Sequence, residues 1–162
     1  MIEIKEGMNK EQYMALHNCE ESRELVEKIN EINLSREIQA RLKSIKEKVN
    51  IVVFSEGYCP DCKVVVPYLV RMAELNENIH IKYFLRKGNE ELLQNLSGET
   101  RIPTVVTFDY NMNPKGIFVE VPAELKAEMS GKGLEDIKKL ISQYREGKYN
   151  DLVEKSLLDI II

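Results

Sequence analysis

The chain has 162 residues, of which 43% are hydrophobic and 31% are charged, and it carries a net charge of −4. This length suits one domain with a core of its own, and the composition excludes an intrinsically disordered chain. The negative charge disfavours nucleic acid as a partner, because phosphate binding requires a clustered Lys/Arg surface.

The ends of the sequence show no targeting pattern. Residues 1–12 contain three glutamates and no apolar run, so we expect no signal peptide. No stretch reaches the roughly 20 apolar residues needed to cross a bilayer, and the apolar end at residues 157–162 is far too short. We therefore expect a cytoplasmic location and no membrane partner.

Residues 1–48 are predicted to form an N-terminal helical extension that packs on the domain. A break at residues 30–35 separates two helices, and Ser35 is the expected N-cap of the second. Each helix carries an apolar stripe, which an isolated helix would leave in water. The stripes consist of Leu25, Val26 and Ile29, and of Ile38, Leu42, Ile45 and Val49.

The next hundred residues alternate between strand and helix patterns. Residues 50–55 form a β-branched and aromatic run, which is typical of a strand buried on both faces. Strands are also predicted at 79–85, 104–110 and 116–121, and helices from residue 60 to 75, at 89–96 and at 134–144. This order predicts an α/β domain over residues 49–149, with a mixed central sheet between helices on both faces. Residues 150–162 are predicted to be a helical tail.

The chemistry is expected in the motif Cys59-Pro60-Asp61-Cys62, between the first strand and the following helix. Two cysteines at this spacing can form a disulfide, and Pro60 suits the first helical turn. The backbone N–H groups and the dipole of a helix start stabilise a thiolate at Cys59. Cys59 is expected to be exposed, and Cys62, one turn further on, to be more buried. We therefore predict Cys59 as the nucleophile and Cys62 as the resolving cysteine.

A zinc site is the rival interpretation of the same motif. Structural zinc usually requires four ligands, and the chain has a single Cys-x-x-Cys pair. Cys19, His17 and His80 lie in other segments, so we expect no metal ligands. Cys19 is expected to be a buried apolar residue on a helix, and the two histidines to be surface or hydrogen-bonded residues.

The motif and its surroundings resemble the thioredoxin superfamily over roughly residues 49–146. Pro67 follows Cys62 by five residues, where thioredoxins have a helix-kinking proline, and Arg101-Ile102-Pro103-Thr104 is similar to their cis-proline segment. The resemblance implies a thioredoxin-like three-layer fold in which Pro103 is cis and lies against the dithiol. It also implies that the backbone of Ile102 pairs with a substrate chain.

The flanking segments and two substitutions refine this resemblance. The helical extension and the segments 121–125 and 144–149 look like a bacterial thioredoxin-like subfamily, and the Cys-Pro-Asp-Cys tetrad is like that of small cytosolic thioredoxin-related proteins. Tyr58 stands where thioredoxin has tryptophan, and is a candidate substrate contact. Val53 stands where thioredoxin has a buried aspartate, so the proton acceptor for Cys62 is left open between Glu56, Asp61 and water.

The resemblance implies a disulfide reductase without a cofactor. Its expected partners are a disulfide-containing protein or small molecule and an unidentified reductase or thiol pool. Asp61 opposes the helix dipole, so we expect a Cys59 pKa of about 6–8 and a reduction potential of roughly −200 to −270 mV. A redox-sensing binding module without turnover is the alternative, and a zinc-binding protein is the third possibility.

Overall fold

A four-stranded mixed sheet forms the centre of the computed structural model, which describes residues 6–162. The strand order is β2–β1–β3–β4, where β1 pairs in parallel with β2 and antiparallel with β3, and β3 pairs antiparallel with β4. The predicted mixed sheet is therefore confirmed. The strands are β1 (Val49–Phe54), β2 (Ile79–Phe84), β3 (Thr104–Phe108) and β4 (Pro114–Val119).

The described residues also form eight helices. Helix α4 connects the parallel strands β1 and β2, and the others lie before, between or after the strands. No helix within residues 6–162 combines the length and the apolar character needed to cross a bilayer. The helices are α1 (Lys10–Ala15), α2 (Cys19–Glu31), α3 (Arg36–Lys43), α4 (Cys62–Glu74), α5 (Glu90–Ser97), α6 (Ala123–Met129), α7 (Leu134–Arg145) and α8 (Asn150–Ile161).

Strand β1 is buried on both faces, because it lies inside the sheet with helices on either side. Val49, Ile51 and Val53 belong to the larger core cluster, which includes residues of α2, α4 and α8. Val52 and Phe54 point to the opposite face, into a smaller cluster that contains Leu93 of α5 and both cysteines of the motif. The result is a three-layer arrangement, and the candidate site lies on the α5 side.

The N-terminal helices pack against this domain. Helix α2 contacts α4, α1 contacts β2, and the core includes Leu25, Ile29 and Leu42. Ser35 is the N-cap of α3, as predicted, and its own N–H donates to the Glu154 carboxylate of α8 at 3.1 Å. Residues 1–5 of the predicted extension lie outside the described residues.

Val26, Ile45 and Val49 differ from the predicted apolar stripes. Val26 is 43% exposed, so it lies beyond the buried face of α2. Ile45 follows the end of α3 and Val49 is the first residue of β1, so neither is part of a helix.

The hairpin between β3 and β4 starts and ends earlier than predicted. The Asp109 carboxylate accepts hydrogen bonds from the N–H groups of Asn111 and Asn113, which closes the turn directly after Phe108. Pro114 then begins β4, where a residue without an N–H is tolerated because β4 is an edge strand. Helix α6 was not predicted, because its seven residues are too few to show a helical period.

Leu42 provides a test of the docking of α3. It is fully buried, so we expect Leu42→Ala to lower the free energy of unfolding by about 2–5 kcal/mol in urea titrations. The matched control is Val26→Ala, whose exposed side chain predicts a change within about 0.5 kcal/mol. Equal effects of the two substitutions would contradict the packing described here.

Candidate active site

The Cys59–Cys62 turn connects the end of β1 to the start of α4. Helix α4 begins at Cys62, with Asp61 as its N-cap residue. Pro60 therefore lies in the turn before the helix, which corrects its predicted place in the first helical turn. The Cys62 N–H donates to Cys59 Sγ at 3.2 Å, so the sulfur faces a free amide of the helix start.

The two thiols differ in burial in the expected order, but neither is freely exposed. Cys59 retains 8% of its surface and Cys62 only 2%. The expectation of an openly exposed Cys59 is therefore wrong, because Ile102 and the residues of the smaller core cluster pack around it. Cys19, expected to be buried, is exposed as the first residue of α2.

The two thiols also differ in pKa. The pKa of Cys59 is lowered to about 7, chiefly by the hydrogen bond that the Cys62 thiol donates to it and also by the Cys62 N–H. Burial and the charge of Asp61 act in the opposite direction. The pKa of Cys62 is raised, first by burial and then by its hydrogen bond to Cys59 and the Cys59 charge. Above about pH 7 the pair therefore holds one proton, on Cys62.

Asp61 is paired with a residue that sequence reasoning missed. Arg145, the last residue of α7, donates from Nε to Asp61 Oδ1 at 2.9 Å and from Nη2 to Oδ2 at 3.3 Å. The pair ties the turn to a second element, α7, and places a cation near Cys59. The pKa of Arg145 is raised, first by its hydrogen bond to Asp61 and to a smaller extent by the charge of Cys59. The one sequence signal was its place in the flanking segment 144–149.

The segment Arg101–Thr104 closes one side of the dithiol. The Ile102–Pro103 peptide bond is cis, as the resemblance implied. The carbonyl oxygen of Ile102 lies 3.9 Å from Cys59 Sγ. The segment is held by Thr104 Oγ1, which donates to the Arg101 carbonyl at 2.7 Å, and by the Glu120 N–H, which donates to the Pro103 carbonyl at 2.7 Å.

The rim beside Cys59 combines an aromatic ring with cationic side chains. Tyr58 is 62% exposed, and its hydroxyl accepts a hydrogen bond from Arg86 Nη2 at 3.2 Å. Arg86 also donates to the Thr100 carbonyl at 3.4 Å, and Arg101 lies exposed on the neighbouring segment. Arg86 was not found from the sequence, because nothing in its local pattern links it to position 58.

Both carboxylates considered as proton acceptors for Cys62 have other partners. Asp61 is bound by Arg145, and Glu56 Oε1 accepts a hydrogen bond from the Lys87 N–H at 3.0 Å. The inner side of Cys62 instead adjoins a small cavity, lined in part by Ser55, Tyr13 and Glu56.

The residues of the rival zinc interpretation are not assembled into a site. Cys19 is exposed on α2 and His80 on β2, whereas His17 lines the cavity next to Cys62. His17 Nδ1 donates to the Tyr13 carbonyl at 2.9 Å, so this histidine is hydrogen-bonded, as expected. In the part of the chain that the structure describes, no group of three or more His, Cys, Asp and Glu side chains could hold a metal ion.

Comparisons with known proteins agree on the fold. A family model described as thioredoxin matches residues 7–144. A protein of unknown function from Pseudomonas aeruginosa has a similar structure, with a TM-score of 0.81, 21% sequence identity and coverage of 98% of this chain and 93% of that one. An HIV epitope-scaffold gives a TM-score of 0.80, 22% identity and coverages of 98% and 94%. At these identities the likeness shows the fold alone. Curated protein sequences give no significant match.

Opposite changes at Asp61 and Arg145 test the electrostatics of the site. Asp61→Asn should lower the pKa of Cys59, because the carboxylate charge raises it. Arg145→Met should raise that pKa, because the carboxylate loses its counterion. We expect the thiolate fraction at pH 6 to change roughly two- to fivefold in each direction, measured by thiolate absorbance during pH titration.

Arg71→Met is the matched control for the Arg145 substitution. Arg71 pairs with Glu74 on the surface of α4, so its loss should leave the pKa of Cys59 unchanged. Shifts of the same sign in the Asp61 and Arg145 variants would contradict the assignment.

Proposed function

The chain belongs to the thioredoxin family, and on this basis we propose that it is a disulfide reductase that works by dithiol exchange through Cys59 and Cys62. The observation that carries the proposal is the unequal state of the two thiols. Cys59 accepts the N–H of the helix start and has a lowered pKa, whereas Cys62 is buried behind it and has a raised pKa. The first is suited to attack, and the second to later displacement.

The reaction has two steps. The Cys59 thiolate attacks one sulfur of the substrate disulfide, and the other substrate sulfur leaves with the bonding electron pair and takes up a proton. Cys62 then loses its proton and attacks Cys59 Sγ, which breaks the mixed disulfide and releases the second substrate thiol. The substrate gains two electrons and two protons, and the enzyme is left with a Cys59–Cys62 disulfide. An unidentified reductase or thiol pool restores the dithiol.

The substrate contacts follow from the surroundings of Cys59. An extended chain can pair with the backbone beside Ile102 and Pro103, which borders the thiol. Tyr58 offers an exposed ring to the same chain, and Arg86 lies beside it. These contacts suit a protein disulfide better than a very small molecule, because the small molecule would use only part of them.

The direction of the reaction follows from the pKa of Cys59. A strong oxidant requires a far lower pKa, because stabilising the thiolate stabilises the reduced form. A value of about 7 is moderate, since burial and Asp61 oppose the hydrogen bonds. This moderate pKa supports a reductase that works in a reducing compartment, for which we propose the cytoplasm.

Alkylation and trapping test the assignment of the two thiols. Exposed Cys19 also reacts, so every variant carries Cys19→Ser. Iodoacetamide should label Cys59 well before Cys62, with a rate that rises with pH through about 7 and then levels off as the thiolate becomes fully populated. Cys62→Ser should accumulate mixed disulfides on Cys59 by mass spectrometry, and Cys59→Ser should be inactive. Equal labelling of both thiols would contradict the assignment.

Turnover and the reduction potential decide between the proposed functions. We expect reduction of a model protein disulfide and a potential of roughly −200 to −270 mV in glutathione or dithiothreitol buffers. A redox-sensing binding module would form the Cys59–Cys62 disulfide without turnover. A potential near about −120 mV would identify an oxidant and would exclude the reductase.

A further inference from the structure

The second step of the exchange requires Cys62 to lose a proton in a site without the usual buried carboxylate. The position of that carboxylate in thioredoxin is Val53, which is fully buried. Three causes raise the pKa of Cys62: burial first, then its hydrogen bond to Cys59 and the Cys59 charge. A mixed disulfide at Cys59 removes the last two, but the burial remains. Some other group must therefore stabilise the Cys62 thiolate.

Two buried hydroxyls lie on the inner side of Cys62. Ser55 follows β1 directly and is fully buried, and Tyr13 of α1 is 2% exposed. Tyr13 Oη and Ser55 Oγ are 2.6 Å apart. A hydrogen bond from Ser55 is among the influences that lower the pKa of Cys62 against the effect of burial. Ser55, Tyr13 and Cys62 also line the same small cavity.

We propose that Ser55 donates a hydrogen bond to the Cys62 thiolate in the resolving step, and that Tyr13 is the positioning residue that holds Ser55 in this orientation. The inference rests on the proposed dithiol exchange and assigns a function in it to α1. Each hydroxyl has one proton. If Tyr13 donates to Ser55, the Ser55 proton is free for the sulfur, and a hydrogen bond to an ionised acceptor is stronger than one to a neutral acceptor.

Tyr13 is held in place by its neighbours. Its ring stacks on that of Tyr83 of β2, with centroids 4.9 Å apart and planes at 14°. The His17 ring meets it edge-on at 4.5 Å. Asn9 and Gln12 form a capping box at the start of α1, which stabilises this short helix. The hydroxyl of Tyr13 is therefore fixed by the fold and does not depend on a mobile side chain.

The cavity beside Cys62 gives the proton a way out. Its volume is about 20 Å³, enough for one water molecule, and Ser55, Tyr13, His17 and Glu56 are among the residues that line it. In the resolving step the Cys62 proton passes to water there, the Cys62–Cys59 bond forms, and the bond from Cys59 to the substrate sulfur breaks. The leaving thiolate takes the electron pair and is protonated by solvent.

Several charged or titratable groups face Cys62 from the elements around it. The substitutions at positions 13 and 55 leave the rest of this set unchanged. The set is Tyr13 of α1, His17 after α1, Glu21 near the start of α2, Glu56 after β1, Cys59 and Asp61 of the motif, Lys63 of α4, and Tyr144 of α7.

A reaction with 5,5′-dithiobis(2-nitrobenzoate) separates the two steps. In the reduced full chain with Cys19→Ser, attack by Cys59 releases one nitrothiobenzoate, and displacement by Cys62 releases a second. Stopped-flow absorbance gives the rate of each release, and repeating it across pH gives a profile for each.

We expect Ser55→Ala to slow the second release about 10- to 100-fold, which corresponds to the loss of one hydrogen bond to a charged group. The pH profile of the second release should shift to higher pH. The first release should be unchanged. Tyr13→Phe keeps the ring and should slow the second release about 3- to 10-fold. Ser55→Thr keeps the hydroxyl and should restore most of the rate.

Tyr83→Phe is the matched control. It removes a hydroxyl from the ring that stacks on Tyr13, and among the described residues Ser55 is hydrogen-bonded to Tyr13 and not to Tyr83. Both releases should keep their rates and profiles. An unchanged second release in Ser55→Ala and Tyr13→Phe, or equal slowing of both releases, would overturn the inference. A parent protein that gives only one release would instead refute the dithiol exchange itself.

Discussion

The chemistry of the site depends on the placement of Cys59 against the first free amide of α4. The hydrogen bond from the Cys62 N–H to Cys59 Sγ exists because α4 begins at Cys62 and the preceding turn brings the sulfur back over the helix start. Strand β1 ends at Phe54 and leaves a short loop to make that turn. Because β1 is buried on both faces, neither the loop nor the helix can shift without disturbing the core.

The remaining parts of the site come from distant segments of the chain. The motif supplies both sulfurs, α7 supplies the guanidinium that binds Asp61, and the segment before β3 covers Cys59 with Ile102. The N-terminal extension supplies Tyr13. Helix α2 packs on α4 and α1 on β2, so the extension is fixed to the same two elements that border the site. Its packing therefore has consequences for the thiol pair as well as for stability.

The sequence predicted those features that are encoded within a few residues. The apolar run of β1 and the Ser35 cap each have a local physical cause, and the structure confirms them. The cis peptide bond before Pro103 came from the family resemblance and could not be derived from the residues alone.

The sequence did not predict the pairings between residues that lie far apart along the chain. Arg145 and Asp61 are 84 positions apart, and Tyr13 and Ser55 are 42 apart. Periodicity tells which face of a helix is buried, but it does not tell which polar group the face meets. Cys19 was misjudged for a related reason: it is the first residue of α2 and lies before the buried stripe begins. Tyr13 was missed because α1 is too short to show a stripe.

A pair of hydroxyls assists the deprotonation of a buried thiol in a different way from a buried carboxylate. A carboxylate can take the proton itself, but it must be kept in an apolar site, where an isolated charge is costly. Ser55 and Tyr13 are neutral, and burial raises the pKa of Tyr13, so neither gives up its proton near neutral pH. They can stabilise a thiolate but cannot act as its base. The proton must therefore leave through water. The rate of the resolving step should still depend on pH above about 7, where the first step no longer does because Cys59 is already ionised.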